Sequence, residues 1–257
     1  MYISSRTNPR VIAASKLKSK KYRDENGLFA FEGIKLFNEA VKRKAELVEV
    51  YLTESASLRV DLSLLPDECE AHTVADSVYA KLTDDRAPDG VFCVARIPAE
   101  PDAQCELKPK AMILCDIQDA GNLGTCIRSS LAFGIDTLIL CGECADTYNP
   151  KCIRSSMGGI FSQRIVKIPD RLRAITACRK NGLRVYAAAL NRSAVPLDSF
   201  PLSSDVVFAV GNEGHGLPED FIEACDGCVI IPMKGDTESL NAAIASSVLM
   251  WNMRNVE

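Results

Sequence analysis

Residues 111–128 read Ala-Met-Ile-Leu-Cys-Asp-Ile-Gln-Asp-Ala-Gly-Asn-Leu-Gly-Thr-Cys-Ile-Arg. The first five are uninterrupted apolar residues, too few for a helix buried on every side and the right length for a strand covered on both faces. A polar, glycine-containing loop follows and opens into a helix, with Asn122 and Arg128 six positions apart. The alternation recurs downstream. Short apolar or β-branched runs at 137–141, 164–168, 183–190, 206–210 and 228–231 are separated by helical stretches. That pattern predicts an α/β domain on a mainly parallel sheet with helices on both faces. Such sheets bind ligands beyond the carboxyl ends of their strands, so chemistry is expected in the loops after Cys115, Val210 and Ile231.

The second of those loops is Gly211, Asn212, Glu213, Gly214, His215, Gly216. The third runs from Pro232 and Met233 through Asp236, Glu238, Ser239 and Leu240 to Asn241, and enters a helix of small residues. Three glycines let backbone approach a ligand closely. Their spacing is not the G-x-G-x-x-G of a dinucleotide site, they follow a late strand, and no Walker lysine is present. A phosphate cradle is therefore the weaker use of them.

Outward from this domain, a polar stretch from Pro98 to Gln104, with Pro109 beyond it, reads as a linker. The expected division is a small α/β domain over 1–97, a linker over 98–110, and the parallel-sheet domain over 111–257. In the first part Asn8 to Lys21 has helical spacing with Asn8 as cap, Leu28 to Phe31 reads as a strand and Gly33 to Lys44 as a helix. Of 257 residues, 47% are apolar and 25% charged, which excludes a disordered or collagen-like chain. No apolar run reaches the roughly 18 residues of a membrane span, and the amino terminus is polar and basic, so a cytoplasmic protein is expected. Eleven scattered cysteines predict reduced, buried thiols. The pairs Cys141/Cys144 and Cys225/Cys228 invite a zinc reading, but one pair ends a strand and the other begins one, so no shared metal is expected.

Charge is uneven. Residues 1–45 hold 11 Lys and Arg against four acids, a local +7, leaving −11 on the rest of a chain whose total is −4. A basic arm on an acidic body suggests that Lys18, Lys20, Lys21 and Arg23 meet a polyanion; solvated lysines are the alternative.

Taken together the three loops resemble the motifs of the SpoU (TrmH-like) RNA ribose 2′-O-methyltransferases. Asn122 to Arg128 is similar to N-x-G-x-x-x-R, Gly211 to Gly216 to G-[NS]-E-G-x-G, and Ile231 to Asn241 to I-P-M-x-G-x-x-E-S-L-N. The segment from Ile153 to Phe161, with Arg154, also resembles that family's, and Lys21 to Ala40 resembles its substrate-binding domain, whose fold is like kink-turn-binding ribosomal proteins. The resemblance implies a trefoil-knotted fold with the knot in 206–251, S-adenosylmethionine as cofactor, a homodimer, and RNA as substrate, with ribosomal ahead of transfer RNA. It implies cofactor contacts from Gly211, Ile231 and Leu240, with Asn212 and Met233 beside them.

It also makes Arg128 the residue on which the chemistry turns. A guanidinium stays protonated, so stabilising a developing alkoxide or clamping a phosphate suits it better than acting as a base. Asn122 and Asn241 are expected to hold Arg128 or substrate, and Glu213 to fix a loop or pair with Arg128. Ser239 belongs either to the site or to the N-cap of the last helix. His215 could serve as a base near neutral pH, while His72 reads as structural and Cys126 as packing. Arg154 could join Arg128 in an RNA groove. A non-catalytic RNA-binding factor and a small-molecule enzyme remain as competing readings.

Overall fold

A five-residue apolar run becomes a central strand only if helices cover both of its faces, and the second half of the chain is built that way. The structure, a computed structural model, describes residues 1–101, 107–234 and 239–256. Asp102, Ala103 and Gln104 of the expected linker lie outside the described residues, as do Asp236 and Glu238, expected to be solvated. Two compact units result, Met1–Ala99 with Tyr148–Ser162, and Glu100–Thr147 with Gln163–Glu257.

In the first unit β1 (Tyr2–Ile3), β2 (Leu28–Glu32), β3 (Leu47–Leu52), β4 (Glu70–Val74) and β5 (Val91–Arg96) form a mixed sheet in the order β1-β4-β3-β5-β2. With it fold α1 (Pro9–Lys16), α2 (Lys20–Asn26), α3 (Ile34–Lys42), α4 (Glu54–Ser57) and α5 (Asp76–Leu82). The two-residue β1 was not expected. Asn8 caps α1 as read, its Oδ1 accepting from the Arg10 amide at 2.9 Å. The expected single helix to Lys21 is instead broken. Arg23, 2% exposed, donates from Nη1 to the carbonyls of Leu17 at 2.8 Å and Lys18 at 2.9 Å, so those carbonyls end a helix rather than continue one. Arg23, expected to meet RNA, is thus a core cation.

The second unit holds β6 (Ala111–Cys115), α6 (Ala120–Ala132), β7 (Thr137–Cys141), β8 (Arg164–Lys167), α8 (Arg171–Lys180), β9 (Arg184–Ala188), β10 (Val195–Pro196), β11 (Val206–Val210), α9 (Glu219–Ala224), β12 (Gly227–Ile230) and α10 (Ala242–Met253). Its seven strands lie in the order β10-β12-β9-β11-β6-β7-β8, every neighbour parallel. Cys115 pairs with Cys141, Leu114 with Val210, and Ala187 with both Ala209 and Cys228. The carboxyl ends of β6, β11, β9 and β12 therefore finish at one edge, which brings the three motif loops together. β7 and β12, which carry Cys141 and Cys228, have three strands between them.

One helix, α7 (Pro150–Ser156), leaves this unit and groups with the first. There the Tyr148 ring lies 4.7 Å from Phe29 and the Phe161 ring 5.0 Å from Phe31. Nothing in the sequence expectation of an unbroken domain from 111 to 257 signals this excursion.

Candidate active site

The loop after β11 closes on itself. The Asn212 and Gly216 backbones exchange two hydrogen bonds, 3.0 and 2.9 Å long, and a Cβ on Gly211 would fall onto the Gly216 carbonyl and the Leu217 nitrogen. Glycine is required at 211 by the loop itself, where the sequence suggested close approach to a ligand. Asn212 braces the same loop. Its Oδ1 accepts from the amides of Gly214 (2.8 Å) and His215 (3.3 Å), and its Nδ2 donates to the main-chain carbonyl of Asp116 (2.9 Å).

From this loop Glu213 reaches the other two motifs. Its Oε1 accepts from Asn122 Nδ2 at 2.6 Å, and Asn122 Oδ1 accepts from Asn241 Nδ2 at 3.1 Å. A carboxylate only accepts, so Glu213 sets the Asn122 amide group one way round and leaves its oxygen for Asn241. Each asparagine is anchored by its own helix end. Asp119 caps α6 by accepting from the Asn122 amide at 2.9 Å, and Asn241 caps α10 by accepting from Ala243 (2.9 Å) and Ile244 (3.3 Å). Asn241, not Ser239, is therefore the N-cap; Ser239 is exposed at the cavity described next.

Arg128 is exposed on α6, and among the described residues nothing forms a hydrogen bond or ion pair with its guanidinium. Of the two roles expected for Glu213, fixing a loop or pairing with Arg128, the structure shows it holding Asn122.

Beyond the carboxyl ends of β9, β11 and β12 lies a cavity of about 400 Å³, within the roughly 300–1,000 Å³ usual for small ligands. Gly211, Asn212, Ile231, Met233 and Leu240, the residues expected to meet a cofactor, line it, and so does Ser239. Ala188, Ala189 and Leu190 line it too, and the sequence reading missed them. They follow β9, which becomes adjacent only because β9 sits between β11 and β12, an order that no local pattern states. Apolar walls with main-chain groups from a closed loop suit an adenine ring, so these residues fit the adenosyl part of S-adenosylmethionine. A larger hollow of about 500 Å³ in the first unit is ringed by Asp76, Asp84, Asp85 and Asp89, which would repel phosphate.

The basic arm is largely matched by acids. Lys18 pairs with Asp84 at 2.6 Å, Lys20 with Asp24 at 2.6 Å and Lys21 with Glu25 at 3.9 Å. Arg154 belongs to the first unit, 3.8 Å from Glu32, whereas Arg128 belongs to the second. The His215 side chain is exposed and only its backbone joins the loop bonding. Cys126 is buried in α6, its thiol pushed up to about 12 by burial.

Comparison with known proteins agrees with this geometry. The model of the SpoU rRNA Methylase family matches residues 109–251, and that of an MRM3-like substrate binding domain matches residues 8–93. The 23S rRNA (guanosine(2553)-2'-O)-methyltransferase RlmP of Bacillus subtilis is 30% identical over 254 residues, 98% of each chain. The AdoMet-bound rRNA methyltransferase of Sinorhizobium meliloti superposes with a TM-score of 0.88 at 28% identity, covering 99% of this chain and 97% of that one. The SpoU methyltransferase AviRb of Streptomyces viridochromogenes, solved with AdoMet, gives 0.80 at 25% identity over 96% and 97%. With its three motif loops gathered at one sheet edge and the family model spanning more than half its length, the chain belongs to the SpoU rRNA Methylase family.

Proposed function

We propose that this protein is an S-adenosylmethionine-dependent methyltransferase that methylates a ribose 2′-hydroxyl of ribosomal RNA. The observation that carries the reading is the Glu213–Asn122–Asn241 chain, which ties the three motif loops together beside an apolar carboxyl-end cavity. When bound, the cofactor supplies an activated methyl group, so the chain's own task is to position the nucleophile and handle its charge. Arg128 supplies a fixed positive charge toward the developing alkoxide or the neighbouring phosphate. Asn122 and Asn241 hold the edges of the site in register.

The reading extends to a homodimer working in the cytoplasm, where its RNA is. Support for the dimer comes from α10, where Ile244 (54% exposed) and Trp251 (52% exposed) flank a hollow shared with Thr125 of α6, an apolar face suited to a second copy. By family resemblance 206–251 forms the knot, and from the uneven charge of the chain Lys18, Lys20 and Lys21, with Arg154, meet RNA.

The test is to map ribose methylation in ribosomal RNA from cells with the protein, without it, and with Arg128→Ala in its place. One nucleotide should lose its methyl group in the second and third strains. In purified protein Arg128→Ala should lower the rate about a hundredfold or more with cofactor affinity nearly unchanged. Normal turnover with saturating RNA would refute the role. Partial rescue by Arg128→Lys would favour a base over a bidentate clamp.

A further inference from the structure

Asp116, the residue after β6, has a backbone φ of +57°, in the left-handed region that costs an ordinary side chain of order 1 kcal/mol or more. Arg171, the first residue of α8 after its N-cap Asp170, sets a cation at a helix amino terminus, where the dipole disfavours positive charge. Both local costs sit at one contact. Asp116 and Arg171 form a two-bond pair, Nε to Oδ2 and Nη2 to Oδ1, each 2.8 Å.

The carboxylate is otherwise fully engaged. Oδ1 also accepts from the Glu143 amide at 2.7 Å and Oδ2 from the Cys115 thiol at 3.1 Å. A side chain on Gly142 would overlap this carboxylate, so the turn after β7 is shaped around it. Held this way the group stays ionised, its pKa drawn down to about 2, chiefly by the Arg171 hydrogen bonds.

What the clamp fixes is a carbonyl. The left-handed turn aims the Asp116 main-chain oxygen at Asn212 Nδ2, and that bond sets which way Asn212 presents its own oxygen to the Gly214 and His215 amides. We infer that Asp116, clamped by Arg171, is the positioning residue for the cofactor loop, acting through Asn212 on Gly211 to Gly216 and so on Glu213. The inference rests on the reading of that loop as the S-adenosylmethionine site. Its consequence is that an ion pair outside the cavity lining sets, through Asn212, how well the loop is formed before cofactor arrives, and preorganisation of this kind is read out as affinity.

Asp116→Asn is the discriminating change, because asparagine tolerates the left-handed backbone and keeps the carbonyl while losing the charge pair. Arg171→Gln removes the same pair from the other side at a residue 40% exposed, and so covers the case in which the first variant folds poorly. Calorimetry on the full chain should show S-adenosylmethionine affinity weakened about tenfold in each, with KM for cofactor raised and kcat at saturation within about threefold. In cofactor-free protein the Gly214 and His215 amides should exchange hydrogen about tenfold faster, while those of β6 and β7 keep their rates. Affinity within twofold of the parent chain in both variants overturns the inference. So does exchange that quickens across β6 and β7 as much as in the loop, which marks a merely structural pair. If the parent chain binds no S-adenosylmethionine, the functional reading fails, and the exchange result alone still decides whether Asp116 positions the loop.

Discussion

His72 lies 3% exposed against the Tyr51 ring, 5.3 Å between centroids, and neither ring nitrogen has a hydrogen-bond partner among the described residues. Burial lowers its pKa below the usual 6.5; Glu49 and Glu70 oppose the shift, Arg10 and the amino terminus add to it. The unfolded chain therefore takes up the proton first, and stability present above about pH 6.5 is lost as pH falls below it. Melting temperature followed from about pH 7.5 to about pH 5 should drop less steeply in His72→Phe than in the parent chain. Parallel curves would clear His72 of that role. At this scale the candidate site was legible as parts. Asn122, Glu213 and Asn241 each stand in a motif loop, but their hydrogen-bond order depends on β11 lying beside β6, which is a property of the sheet. Arg23 was illegible for a different reason: it sits in a run of lysines, and only the carbonyls of Leu17 and Lys18 reveal that it turns inward.

Strands were the easiest elements to read. β6, β7 and β11 have the bounds the short runs predict, because every residue of each is buried between covered faces. β1 and β10, two residues each, carry too little pattern to be seen. The basic arm reads differently as an element than as a sum of charges. Since Lys18, Lys20 and Lys21 each face an acid, RNA has to displace those partners before it gains a phosphate contact. If all three meet phosphates, replacing them together by Gln should flatten the slope of log affinity against log salt by about 2. An unchanged slope would assign the arm to solvent and leave RNA binding to other surfaces.

For the whole molecule, the stretch Tyr148–Ser162 decides what a truncation means. A fragment starting at residue 108 keeps Tyr148 and Phe161 but loses Phe29 and Phe31, the rings that cover them. It should bind the dye ANS more strongly than the full chain does, and lose the excess when Tyr148 and Phe161 are both replaced by Ser. A fragment no more dye-binding than the full chain would show that the second unit covers those rings by itself.

The same stretch has a consequence for biosynthesis. A chain made from its amino end has delivered residues 1–99 long before residue 162, yet the first unit is complete only with both. At roughly 5–20 residues per second the wait is several seconds. Throughout it Phe29 and Phe31 lack their aromatic cover while β6, α6 and β7 are already emerging. The two units are thus committed to interleaved rather than successive maturation, and Phe29 and Phe31 are least covered in the interval before Phe161 leaves the ribosome.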